Sequence, residues 1–176
     1  VMIAKSNSAL KSRASVGERC ENWLLKNMPA NFELTTKFKE ADFLFSLFYG
    51  EKINIGKLSK SCKAFNFHAG ILPFYRGSGT LNFAIINKEK ETGITLHELD
   101  ENIDTGPIIK IHKFEIEPLE TAESLLIKAE DETFNLFTKE FPTLIKGDFK
   151  SYQQDSNHSR FYSRKELHDI KDMTHI

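Results

Sequence analysis

An amide and an imidazole stand two positions apart in Asn66-Phe67-His68. On a β-strand, positions i and i+2 share a face, so both side chains project into one small volume. A carboxylate, Asp104, follows later in the polar stretch Asp100-Glu101-Asn102-Ile103-Asp104, just before Thr-Gly-Pro. Histidine titrates near neutrality and moves protons, while a carboxamide is a neutral donor and acceptor. Taken singly, each residue has a plainer role: a strand-end amide, a structural or exposed histidine, a turn-forming aspartate. Asn66 and His68 are therefore either a satisfied structural pair or part of a reaction centre.

The elements around them decide where they meet. Val1 to Ala4 reads as a short buried strand, with Ser6, Asn7 or Ser8 capping a helix over Leu10 to Lys26 that ends at Pro29. Phe32 to Phe38 reads as a short strand and Asp42 to Tyr49 as a strong one. Gly56 to Lys60 is a turn or short helix, and Lys63 to His68 the next strand. Pro73 and Gly77 force a loop before a helix over Thr80 to Asn87. Strands follow at Glu91 to Leu99 and Ile108 to Ile116. A long helix starts at Thr121, with Thr121 and Ser124 as an imperfect capping box, and is expected to end before Pro142. The remainder is polar, with Tyr152, Phe161 and Tyr162 as anchors onto the body. This alternation predicts an α/β sheet with parallel strands in its first half. Ligands in such sheets sit beyond the carboxyl ends of strands, here after Phe48, His68 and Leu99.

Composition narrows the alternatives. The 176 residues, 40% hydrophobic and 28% charged, fit one ordinary globular domain. A net charge of -1 gives no reason to expect nucleic acid or a membrane surface as partner. The apolar runs are strand-sized, and the two cysteines, Cys20 and Cys62, have no metal-type spacing, which together point to a cytoplasmic protein. A metal hydrolase built on His68, His97 and Asp104 lacks the close His-x-x-x-His or Cys-x-x-Cys spacing that would support it, so no metal is expected. Gly77-Ser78-Gly79 lacks the frame of a nucleophile elbow, and no phosphate-cradling glycine motif is present.

Three segments in order carry a resemblance. Asn-x-His with the following Leu-Pro-x-Tyr-Arg-Gly, then Glu-Thr-Gly-Ile-Thr-x-His, then Asp-x-x-x-Asp-Thr-Gly, resemble the catalytic core of the folate-dependent formyltransferases. The resemblance covers Asp42 to Ile116 well and the tail weakly. It implies a Rossmann-like, mainly parallel sheet flanked by helices, with 1–146 as catalytic domain and 147–176 as a tail packed on it. Only 65 residues precede Asn66, fewer than the family usually places there, so the family's first strand-helix unit is expected to be missing.

The resemblance also implies the chemistry. A formyl group carried on N10-formyltetrahydrofolate, the co-substrate, passes to a primary amine in a reaction of class 2.1.2. Asn66 would hold the developing oxyanion, His68 would exchange protons with amine and leaving nitrogen, and Asp104 would orient His68 and a relay water. Phe48, Tyr49, Gly50, Lys52 and Ile53, with the loop Asp100, Glu101, Asn102 and Ile103, would surround the pterin. Ile71, Tyr75, Arg76 and Gly77 would shape the acceptor side, with Arg76 alternatively pairing with a carboxylate. His97 is expected to pack beside the site, and His112, His158, His168 and His175 to lie at the surface. The stretch Asn82 to Ile109 and the segment Arg160 to Leu167 are most similar to enzymes that formylate nucleotide-linked amino sugars for surface polysaccharide (O-antigen). The acceptor is accordingly a small molecule, with a homodimer as the assembly compatible with the resemblance. Other acceptors (glycinamide ribonucleotide, methionyl-tRNA), a formyltetrahydrofolate hydrolase and an inactive folate-binding homologue are the alternatives.

Overall fold

The structure is a computed structural model that describes residues 1–5 and 14–173. Five strands form the main sheet in the order β1 (Met2–Lys5), β2 (Phe43–Leu47), β3 (Lys63–Ala69), β5 (Glu91–Glu98) and β6 (Ile108–Glu115). The first three run parallel, while β5 and β6 join antiparallel. A separate two-residue ladder pairs β4 (Arg76–Gly77) with β7 (Phe161–Tyr162).

Alternation along β2 and β3 sorts the side chains. Phe45, Phe65 and Phe67 are fully buried on one face, under α1 (Val16–Asn27) and α3 (Ala122–Lys146). There Trp23 meets Phe141 edge-on, with ring centroids 5.7 Å apart, and Phe137 stands edge-on to Phe45 at 5.4 Å. Leu44 and Ala64 belong instead to a smaller cluster with Met2, Ala4 and Ile53. Residues 64, 66 and 68 share a face of β3. The opposite face thus takes the aromatic core, and the thinly covered one carries Asn66 and His68.

Helix α1 starts at Ser15, which forms a reciprocal capping box with Glu18; Ser6, Asn7, Ser8 and the segment 10–13 lie outside the described residues. Helix α3 has the Thr121–Ser124 box, but it runs through Pro142 to Lys146 rather than stopping before it. Pro142 is exposed, while its neighbours Phe141 and Leu144 are buried, so apolar burial along the inner face outweighs one missing backbone donor. Phe32 to Phe38 is not a strand: it runs as extended chain into a 3-10 turn at Phe38–Glu40. Two backbone bonds fasten it to Val1, and Phe32 packs on Phe43 at 5.8 Å, but no ladder follows.

The tail is more ordered than its polar composition implies. Tyr152 bridges to Ile108, β7 follows, and α4 (Arg164–Met173) closes the described chain. Of the three expected anchors only Tyr162 buries its ring, between Tyr75 and Phe83; Tyr152 is 55% and Phe161 52% exposed. Tyr152 holds the body through backbone bonds to Ile108, and the backbone bonds around Phe161 are made by Arg160 and Tyr162, so neither needs a buried ring.

Candidate active site

Helix α2 (Thr80–Ile86) and the ends of β2, β3 and β5 enclose a cleft of about 440 Å³. Asn66, His68 and Asp104 all line it. Asp104 reaches them from the loop after β5 in a left-handed conformation, φ 55°, a geometry that aspartate tolerates better than most residues.

Three elements converge on the Asp104 carboxylate. Oδ2 accepts the Gly77 N–H at 2.9 Å and faces His68 Nδ1 at 3.5 Å. Oδ1 accepts from Asn66 Nδ2 at 3.3 Å and lies 3.6 Å from His97 Nε2. Asn66 Nδ2 is also 3.2 Å from His97 Nε2, directly across the β3–β5 ladder. His97 Nδ1 is 2.8 Å from the Glu98 carbonyl, so it donates there; Nε2 accepts from Asn66 in the neutral ring and donates to Asp104 Oδ1 in the protonated one. Both Asn66 N–H groups are thus engaged.

His68 is 7% exposed, and its Nε2 lies 2.5 Å from the Tyr75 carbonyl. A carbonyl only accepts, so Nε2 carries hydrogen and Nδ1 is the basic atom facing Asp104. Burial pushes the His68 pKa below its ordinary value, against the pull of the Asp104 charge and the Tyr75 bond. Burial would raise Asp104, but His68, His97 and the Gly77 N–H together outweigh it and hold this carboxyl at about 2. The Gly77 and Asn66 donors persist whether or not His68 is charged, so Asp104 is an anion at neutral pH.

One end of the cleft has the residues expected around a pterin. Phe48, Tyr49, Gly50, Lys52, Ile53, Asp100, Asn102 and Ile103 line it, and Glu101 does not. Phe48 is held at φ 52°, a strained setting for a bulky side chain. The Asp100 carboxylate is occupied by the Thr105 hydroxyl, 2.6 and 2.7 Å from its two oxygens, and by the Asn102 N–H. On the other side Gly77 lines the cleft, whereas Ile71, Tyr75 and Arg76 do not. Among the described residues Arg76 meets no carboxylate: its Nη2 donates to Gln154 Oε1 at 3.0 Å and its buried Nε finds no partner there. His112 is half-buried against Glu132, His158 and His168 are exposed, and His175 lies outside the described residues.

Several contributors had no sequence signal. Thr95, opposite His68, donates to the Gly70 carbonyl and accepts from the Leu72 N–H. Thr80 donates to the Ala69 carbonyl. Leu126 and Glu130 of α3, with Ser15 and Val16, close the far wall. Each owes its place to long-range packing.

The sequence pattern of a family described as formyl transferase matches residues 35–140, a span that holds Asn66, His68 and Asp104. A crystallised sugar 3N-formyl transferase, WlaRD, is 27% identical over 94% of this chain and 69% of its own, with a TM-score of 0.79. A 4-N formyltransferase from Francisella tularensis is 30% identical over 77% of this chain and 54% of its own, TM-score 0.66. An N-formyltransferase from Helicobacter canadensis has the same fold at 24% identity, covering 93% of this chain and 70% of its own, TM-score 0.79. With more than half its length matched, the chain belongs to the formyl transferase family and is a formyl-transferring enzyme of class 2.1.2.

Proposed function

We propose that this chain transfers a formyl group from N10-formyltetrahydrofolate to the amine of a nucleotide-linked amino sugar destined for surface polysaccharide. The observation that carries the reading is the meeting of Asn66, His68 and Asp104 at one cleft, in a chain similar along most of its length to WlaRD, which was crystallised with dTDP and 5-N-formyl-THF. The cleft fits a pterin: Phe48, Ile53, Leu99 and Ile103 give apolar walls for a flat ring. The bound folate supplies an activated formyl carbon.

The protein's own groups handle protons and charge. Neutral His68 takes a proton from the incoming amine at Nδ1, is held as imidazolium by the Asp104 anion 3.5 Å away, and returns the proton to the departing folate N10 as its bond to the formyl carbon breaks. Asp104 stays in place because the Gly77 backbone N–H holds its Oδ2. Asn66 is the donor for the formyl oxygen. That role rotates the planar amide about its terminal torsion, which is soft, and releases His97 and Asp104 together. No covalent intermediate with the protein is needed.

The direction of the His68 shift fixes a pH dependence. The base must be neutral, and its folded pKa lies below 6.5. Hence kcat/KM is expected to be flat near neutrality and to fall only below about pH 6.5. A basic shift of that limb would contradict the assignment. Stability follows the same sign for both groups. The His68 contribution is present above 6.5 and declines as pH falls, because the unfolded chain then binds the proton first. The Asp104 contribution is present above 3.8 and is lost toward its folded value of about 2.

A panel of nucleotide-linked amino sugars, incubated with protein and N10-formyltetrahydrofolate, tests the acceptor class. A formamide product from at least one is expected. Transfer only to glycinamide ribonucleotide or methionyl-tRNA would overturn the proposed acceptor.

A further inference from the structure

The mechanism requires Asp104 to stay in a left-handed conformation on an exposed loop, and its own carboxylate contacts do not fix its backbone. Gln154 does. Its Nε2 donates to the Asp104 carbonyl at 3.1 Å and to the Gly106 carbonyl at 2.7 Å, while its Oε1 accepts from Arg76 Nη2 at 3.0 Å. All three contacts agree on one amide orientation, since a guanidinium only donates and carbonyls only accept. Arg76 precedes Gly77, whose N–H holds Asp104 Oδ2. One side chain therefore ties the backbone of the acid's loop to the loop that grips the acid's side chain. Gln154 lies beyond the family-matched span 35–140, in the tail that Tyr152 fastens to Ile108.

We infer that Gln154 is a positioning residue for formyl transfer, acting through Asp104 by clamping its loop to Arg76. This rests on the proposed role of Asp104. The decisive variant is Gln154→Glu, which has the same shape and keeps an acceptor for Arg76 but cannot donate to the two carbonyls. If Gln154 merely anchors the tail through Arg76, Gln154→Glu is as good as wild type. If it clamps the loop, kcat falls about 10- to 100-fold, the cost of misplacing a reacting group by about an ångström, with KM for either substrate changed less than about threefold. Gln154→Ala is expected to match it, and the exposed neighbour variant Gln153→Ala to leave kcat unchanged.

Amide hydrogen exchange at Gly77 reads the clamp without reference to turnover. Its protection is expected to drop about tenfold in Gln154→Glu, as the Asp104 carboxylate loosens. Unchanged Gly77 protection together with wild-type kcat in Gln154→Glu would overturn the inference. Asp104→Asn separates the two levels. Full activity in that variant would overturn the catalytic reading of Asp104, whereas an inactive Asp104→Asn beside a fully active Gln154→Glu would overturn the clamp alone.

Discussion

Asp104→Ala is expected to lower kcat/KM by about two to four powers of ten, and His68→Ala by a similar factor. The two losses have one origin. Without Asp104 the His68 ring keeps its burial but loses the charge that favours its protonated form, so its basicity falls further. The Gly77 N–H loses its acceptor and Asn66 loses its fixed orientation at the same time. Because the residues act as a unit, the double variant should cost little more than either single one. Asp104→Asn sharpens the test, since it retains an acceptor for Gly77 while removing the charge and the acceptor for Asn66. Single-turnover rates, on variants shown to be folded by circular dichroism, give the comparison. Near-wild-type rates in both alanine variants would end the assignment of roles.

Gly106→Ala is expected to destabilise the fold by about 3 kcal/mol, lowering Tm by roughly 6–12 °C for a chain of this size. A Cβ there would lie 1.8 Å from the Glu98 carbonyl oxygen and 2.8 Å from its carbon. Both are backbone atoms, and Glu98 is itself tied by its N–H to the Pro107 carbonyl, so no flexible side chain can yield. The end of β5 must separate from the loop, two positions from Asp104, so activity falls along with Tm. Gly77 is constrained in a second way: its φ is 95°, and a Cβ would stand 2.1 Å from the Tyr162 carbonyl oxygen. Thermal unfolding measures the Gly106 effect, and a Tm within about 1 °C of wild type would contradict it.

The site was legible where chemistry and local period coincide. Asn66 and His68 share a face because strands have a period of two, and the same alternation assigns Phe65 and Phe67 to the core. Asp104 could be named because its segment follows the other two in a recognisable order. Pro142 misled because a proline's local cost is readable while the burial of Phe141 and Leu144 that outweighs it is not. Phe32 to Phe38 has strand-like residues, but its backbone bonds to the edge strand's end stop at Val1 and do not go on along β1. Gln154 was invisible: its partners are main-chain carbonyls and a guanidinium brought together only by tertiary structure. The two-residue β7 is too short to show any period. Arg76 was expected to face either the acceptor or a carboxylate, and it meets an amide from the tail instead.

The most direct test follows the formyl carbon itself. Protein is mixed with N10-formyltetrahydrofolate labelled in the formyl group, with and without a nucleotide-linked amino sugar, and the label is traced. The cleft described here predicts label in a sugar formamide, rapid only when the amine is present, and abolished together with His68 and Asp104. Label released as formate at the same rate with or without amine would contradict it.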